Sequence, residues 1–194
     1  MKHAILFLSS FILLGTAAAQ HEVSDPAGLA WTLQEIDGSL GFADLAQHGT
    51  LAWCSMSDNA TGAMLLSRFD TSPPAPLWMI QTPGAEVLSS DGAREGDVCA
   101  SISRINVGGT NDFRYTLRVG SSQGLRWTYD YPVIATFWSR VCVSRDGNRI
   151  AAVFVDDEAP ATDILLFSPG SPVPQQAWSL PAGVPWAAEI ADDG

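Results

Sequence analysis

Lysine and histidine are scarce in this 194-residue chain, and their scarcity excludes several functions. Lys2 is the only lysine, and ten basic residues face twenty-one Asp and Glu, which gives a formal net charge of −11 at pH 7. Nucleic acids and anionic membranes are bound through basic patches, so we expect neither as a partner. The three histidines, His3, His21 and His48, do not form a pair with metal-binding spacing.

Cysteine is equally rare. Cys54, Cys99 and Cys142 are an odd number, none of them lies in a Cys-x-x-Cys motif, and at most one internal disulfide can form. Zinc or redox chemistry is therefore poorly supported, and we expect the three to be small buried residues on strands. The chain also lacks a Gly-x-Ser-x-Gly elbow and a phosphate-binding loop. The sequence thus contains no evident catalytic constellation and no evident cofactor site.

The only long apolar run lies at the N terminus. Residues 4–14 follow a short basic start and precede small residues up to Ala19, which is typical of a cleavable signal peptide. The run is shorter than the roughly 20 residues of a membrane-spanning helix, and no later stretch is apolar enough to span a bilayer. We therefore expect a signal peptide at 1–19 and a secreted or periplasmic chain of residues 20–194, without a transmembrane segment.

Tryptophan marks an internal repeat. Trp31, Trp78, Trp127 and Trp178 recur every 47 to 51 residues. A second marker ends in glycine, as VLSSDG at Gly92, VCVSRDG at Gly147 and EIADDG at Gly194, with AQHG at Gly49 as a degraded copy. Short segments rich in β-branched and aromatic residues, bounded by turn residues, lie between the markers and predict strands.

Four strands per repeat is the size of a β-propeller blade. We predict an all-β partial propeller with about three four-stranded antiparallel blades, at 40–82, 85–131 and 136–180, and orphan strands at 28–36 and 185–191. Closed propellers have about 4 to 8 blades, so the missing blades are expected from the rest of a longer chain. A β-sandwich is the competing architecture, but it gives no reason for the fixed tryptophan spacing.

The third repeat resembles a known group. The segment Ser144-Arg145-Asp146-Gly147, followed by Ile150-Ala151, and Pro76-Leu77-Trp78 of the first repeat resemble the blades of exported bacterial and archaeal propellers of the WD-repeat-like and quinoprotein-like group. The Gly-His and Trp-Asp dipeptides of true WD repeats are missing. The resemblance implies a fold rather than an activity.

The two markers are interpreted structurally. Asp146-Gly147 is expected to form a hairpin turn rather than a calcium site, because one carboxylate is too few for Ca²⁺. Trp78, Trp127 and Trp178 are expected at equivalent positions on the last strand of each blade, packed between neighbouring sheets.

Acidic residues are expected to gather at one end of the blades. In an up-and-down blade, the loop between strands two and three shares an end with the connection to the next blade. Asp37 and six further acidic residues are expected there. We take the six as binding candidates and call them the acidic rim; they are Asp58, Asp112, Asp130, Asp156, Asp157 and Glu158. Trp138 and Trp186 precede first strands, near the axis, and complete the candidate binding set. Such a rim favours cations or basic partners over anions, although a merely solvating rim is the plainer alternative.

These observations favour a secreted binding or scaffold module without chemistry of its own, for an unidentified protein or small-molecule ligand of basic character. Ca²⁺ is a weaker alternative ligand for the rim. The competing hypothesis is the N-terminal part of an exported enzyme, a quinone-dependent oxidoreductase or a hydrolase, whose active site lies beyond residue 194.

Overall fold

Twelve strands account for most of the described chain. The computed structural model describes residues 38–45, 51–58, 63–71, 74–109, 112–132, 138–156, 161–181 and 188–191. The first sheet consists of β1 (Gly38–Leu45), β2 (Leu51–Asp58), β3 (Ala63–Thr71) and β4 (Pro74–Pro83). The second consists of β5 (Ala85–Gly92), β6 (Cys99–Asn106), β7 (Phe113–Ser121) and β8 (Gly124–Asp130), and the third of β9 (Ser139–Val143), β10 (Ile150–Asp156), β11 (Ala161–Phe167) and β12 (Gln176–Pro181).

Each sheet is a simple antiparallel meander in which consecutive strands pair in chain order. The first strands lie side by side, since β5 contacts both β1 and β9. Three such sheets, placed around a common axis with their first strands innermost, are consecutive blades of a β-propeller. The predicted fold class is confirmed, and we refer to the sheets as blades 1, 2 and 3. The predicted strand at 28–36 lies outside the described residues, and the one at 185–191 is described only at 188–191, where no strand is formed.

Among the described side chains, the larger hydrophobic core lies between blades 2 and 3. Alternate residues of each strand face it, as a pleated sheet requires. Tyr115, Leu117 and Phe154 are fully buried there, and Cys99 and Cys142 are buried on strands, as expected. On the innermost strands, polar groups replace apolar contacts. Ser89 Oγ accepts a hydrogen bond from the Val141 amide (3.1 Å), and Asp91 Oδ2 accepts one from the Val143 amide (2.7 Å).

Two tryptophans join neighbouring blades in the same way. Trp78, on β4 of blade 1, donates its indole N–H to the Ser121 carbonyl of blade 2 at 2.5 Å. Trp127, on β8 of blade 2, donates its indole N–H to the Pro169 carbonyl of blade 3 at 2.9 Å. Both acceptors lie where the third strand of the next blade turns into the fourth. The prediction that these two tryptophans pack between sheets is confirmed.

Trp178 departs from the predicted equivalence. It lies on the last strand of blade 3, as expected, and pairs with Ile164 of the third strand. The residue whose strand pairing corresponds to that of Trp78 and Trp127 is instead Gln176, which pairs with Leu166. The cause is the turn between the last two strands, which is two residues long in blade 2 and runs from Ser168 to Gln175 in blade 3. Trp178 is therefore displaced by two positions along the strand and remains on the same face of the sheet.

The second repeat marker also needs correction. Asp146-Gly147 lies in the β9–β10 turn, where Gly147 has a φ of +77°. Asp91-Gly92, in contrast, ends strand β5, so its predicted equivalence to Asp146-Gly147 is wrong. Both hairpin connections contain six residues, and the position equivalent to Gly147 is Gly96. A Cβ at residue 96 would lie 2.2 Å from the Asp146 carbonyl oxygen, so glycine permits this close approach of the two turns.

Candidate functional site

The up-and-down topology brings the described backbone positions of the acidic rim to one end of the blades. Asp58 and Asp156 are the last residues of β2 and β10, Asp130 is the last residue of β8, and Asp112 immediately precedes β7. All four backbone positions lie at the end predicted from the sequence. The side chains of Asp58 and Asp156 lie outside the described part of the molecule, as do Asp157, Glu158 and Trp186 as whole residues.

Asp112 is an exposed carboxylate held by an ordered turn. Its backbone carbonyl accepts a hydrogen bond from the Val107 amide at 2.9 Å. Within the same turn, the Asn106 side chain accepts from the Gly108 amide and donates to the Gly109 carbonyl, each at 2.9 Å. The Asp112 carboxylate lies directly over Gly109, where a Cβ would be 2.3 Å from Asp112 Oδ2. Asp112 is exposed, and within the described ranges no donor bonds to its carboxylate.

Asp130 is exposed and only partly satisfied. Its Oδ1 accepts a hydrogen bond from Thr116 Oγ1 at 2.7 Å. On the same face of blade 2 lies Arg118, which is only 9% exposed and donates to Ser103 Oγ at 2.5 Å. Burial lowers the pKa of Arg118, and the negative charge of Asp130 acts in the opposite direction. Asp130 therefore contributes to balancing a buried cation while still presenting its second oxygen to solvent.

Trp138 lies directly before β9, close to the axis, as the sequence predicted. The guanidinium carbon of Arg140 lies 4.7 Å from the Trp138 ring centre, within cation–π range. Arg140 Nη1 also donates to the Leu88 carbonyl of blade 2 at 3.3 Å, and the Trp138 carbonyl accepts from the Val155 amide at 3.0 Å. The tryptophan is thus fixed by its neighbours and half-buried, with an arginine beside it that the sequence interpretation did not include.

A further acid near this end was missed. Asp163, on β11, accepts a hydrogen bond from the Tyr131 hydroxyl at 2.6 Å, and the Tyr131 ring stacks on Phe154 at 4.2 Å. Burial raises the pKa of the nearby Tyr129, and the Asp163 charge raises it further. Asp163 sits inside a strand rather than in a loop, so sorting acids by loop could not find it. The alternation of ATDILLF would have placed it on the face of blade 3 that points to blade 2.

The carboxylates at the opposite end have a different role, because they bind the protein itself. Asp97 accepts hydrogen bonds from the Ser122 amide and hydroxyl, at 2.8 and 2.6 Å. Glu95, in the β5–β6 turn, forms an ion pair at 2.7 Å with Arg145, in the β9–β10 turn. Asp146 accepts from its own turn, and these hydrogen bonds, mainly from the Asn148 amide and the Ser144 hydroxyl, lower its pKa. Near the other end, Glu86 is likewise paired with Arg104 at 2.8 Å, whereas Asp112 and Asp130 are exposed.

Among the described residues, no three His, Cys, Asp or Glu side chains come together in a group that could hold a metal ion. The same part of the chain contains no helix with the length and apolarity needed to cross a bilayer.

No protein-family model matches the chain, and no curated protein matches it. Solved β-propeller structures are similar to it. The Dos1 propeller is 12% identical, with a TM-score of 0.49, over 79% of this chain and 37% of its own. The β-propeller domain of the Trilobed protease from Pyrococcus furiosus is 11% identical, with a TM-score of 0.46, over 74% of this chain and 43% of its own.

Prolyl oligopeptidase B from Galerina marginata is 9% identical, with a TM-score of 0.49, over 77% of this chain. The chain spans 22% of the length of that enzyme. At such identities the similarity concerns the fold alone.

Proposed function

We propose that this protein is an exported β-propeller module that binds a basic partner, protein or small molecule, through the acidic rim. The observation that supports this proposal is the contrast between the two ends of the blades. Asp91, Asp97 and Asp146, at the end that bears the β5–β6 and β9–β10 turns, are used by internal hydrogen bonds. Asp112 and Asp130, at the other end, keep oxygens open to solvent.

The scaffold favours recognition by this end. Asp130 ends a paired strand, and its carboxylate is held by the bond to Thr116. For Asp112, the turn around Asn106 fixes the backbone position. Fixed carboxylates lose little conformational entropy on binding, which improves affinity for a given set of contacts. The formal net charge of −11 adds a long-range attraction for basic partners.

The remaining parts of the proposal come from the sequence. The N-terminal apolar run supports export, and the Ser144-Arg145-Asp146-Gly147 turn supports membership of the WD-repeat-like and quinoprotein-like propellers. Ca²⁺ is retained as a competing ligand for the rim. A catalytic part following residue 194 is the competing function.

Binding of a fluorescent oligolysine peptide tests the rim. Each exposed charge pair contributes about 0.2–1 kcal/mol, so Asp112→Asn and Asp130→Asn should each weaken binding by about 1.5- to 5-fold at low salt. Glu95→Gln is the matched control, since it changes the net charge equally at the opposite end and should have a smaller effect. Equal effects of all three substitutions, or no binding at about 50 mM salt, would contradict the proposal.

Two additional measurements address the competing functions. If millimolar Ca²⁺ raises the thermal midpoint and Asp112→Asn removes the effect, the rim is a calcium site instead. If the polypeptide encoded by the complete reading frame hydrolyses peptide or ester substrates, or reduces a quinone, the module is part of an enzyme.

A further inference from the structure

The face of blade 3 that points away from blade 2 is unevenly covered. Val153 and Val155, on β10, are 4% and 5% exposed although they do not belong to the core between blades 2 and 3. On the outermost strand β12, Trp178 and Leu180 are 46% and 49% exposed. The inner half of this face is thus buried, whereas the outer half presents two large apolar side chains to solvent.

The same face carries the contact to the next blade in blades 1 and 2. In blade 2, Trp127 and Tyr129 lie against Phe167 of blade 3, with ring centroids 5.5 and 5.1 Å apart. In blade 1, the Trp78 ring lies against Gly120 of blade 2 so closely that a Cβ there would be 2.8 Å from it. In both cases, the aromatic ring packs against the third strand of the following blade, near the end where that strand turns into the fourth.

The strand register assigns the exposed residues to these contacts. In blade 3, Gln176 pairs with Leu166 and therefore corresponds to Trp127 of blade 2. Trp178 pairs with Ile164 and corresponds to Tyr129. Leu180 follows two residues later, on the same face. Blade 3 therefore repeats the apolar side of an interface that the molecule already forms twice.

We propose that this face of blade 3 binds a fourth four-stranded blade, formed by the same polypeptide after residue 181. Trp178 and Leu180 would pack against the third strand of that blade, near the end where it turns into the fourth. Gln176, through its amide N–H, would donate to the carbonyl of the following turn, as the indoles of Trp78 and Trp127 do in their blades.

Two observations favour the chain's own continuation over another occupant. In blades 1 and 2, the residues after the fourth strand lead directly into the innermost strand of the next blade. Beyond β12, Glu189 lies near enough to Cys142, on innermost strand β9, for its charge to act on that thiol. Glu189 is therefore close to the inner half of the face, where Val153 and Val155 are buried.

The test compares one double variant in two polypeptides. In the polypeptide encoded by the complete reading frame, Trp178→Gln with Leu180→Gln should lower the unfolding midpoint by at least about 3 °C, since apolar contacts of one to two kcal/mol shift it by this much. In the 194-residue chain, the same double variant should leave the midpoint within about 1 °C. That second result shows that blade 3 itself tolerates the substitutions.

Val173→Gln is the control, because Val173 is an apolar residue 67% exposed in the β11–β12 turn, away from this face. It should have no effect in either polypeptide. An unchanged midpoint of the double variant in the complete polypeptide would overturn the proposal, and so would a reading frame that ends at residue 194. A dimer that the double variant dissociates would assign the face to a second copy instead.

Discussion

Replacement of Trp127 tests the central energetic feature of this fold, the aromatic contact between consecutive blades. The Trp127 indole donates to the Pro169 carbonyl at 2.9 Å, and its ring lies 5.5 Å from that of Phe167. Trp127→Phe keeps an aromatic ring and removes the hydrogen bond, which should cost about 1 kcal/mol. Trp127→Ala also removes the ring. A fully buried aromatic costs about 3–5 kcal/mol on truncation, so a half-buried one should cost about 2–3 kcal/mol.

The assay is urea unfolding of the 194-residue chain followed by far-UV circular dichroism, which does not depend on tryptophan fluorescence. Trp178→Ala is the matched control, since Trp178 lies on the same face of the neighbouring blade but is 46% exposed. It should cost less than about 1 kcal/mol in this chain. A double-mutant cycle between Trp127→Ala and Phe167→Leu should show a coupling of about 0.5–1.5 kcal/mol. If Trp127→Ala destabilises no more than Trp178→Ala, the reasoning is refuted.

Three further outcomes are expected. Gly120→Ala should cost about 1–3 kcal/mol in chemical unfolding, because its Cβ would lie 2.8 Å from the Trp78 ring, whereas Gly170→Ala, with open space around it, should be neutral. Burial raises the pKa of Cys142 from 9.0 to about 11, so iodoacetamide at pH 8 should alkylate it about 100-fold more slowly in the folded chain than in urea. Asp146 has a lowered pKa, so its contribution to stability is present above its ordinary pKa of 3.8 and is lost as the pH falls through the lower pKa of the folded state. Asp146→Asn should not show this loss of stability in acid unfolding curves.

The strand content and the blade order could be predicted because both depend on local pattern. Residues such as Ile150 to Val155 combine high strand propensity with clear turn residues on both sides, and one tryptophan per repeat gave the period. The contacts of Trp78 and Trp127 follow from that period, since a large ring at the same place in each sheet has to pack against the next one.

Two details could not be predicted, for physical reasons that lie in the tertiary structure. Asp91-Gly92 has the composition of a turn, but Asp91 is needed at a strand end to accept the Val143 amide of the next blade. Only the three-dimensional arrangement shows this use. Trp178 keeps the tryptophan spacing approximately while losing the register, because a longer turn before β12 shifts the strand by two residues.

For the candidate site, the sequence predicted where some of its residues lie. The end at which Asp112 and Asp130 lie follows from strand order alone. Arg118 and Asp163, in contrast, are polar residues inside strands, so neither loop position nor composition indicated that they face neighbouring blades. Whether the acidic rim binds a partner is the subject of the oligolysine experiment.

The side chains of Ser89 and Asp91 have a consequence for how peptides can approach the axis. They accept hydrogen bonds from the Val141 and Val143 amides. These amides lie on the edge of β9 that faces away from its partner strand β10. A strand whose outward amides are already bonded cannot serve as a template for an incoming extended peptide. The inner wall of blade 3 is thereby protected from β-augmentation and from the fibrillar association that begins in the same way.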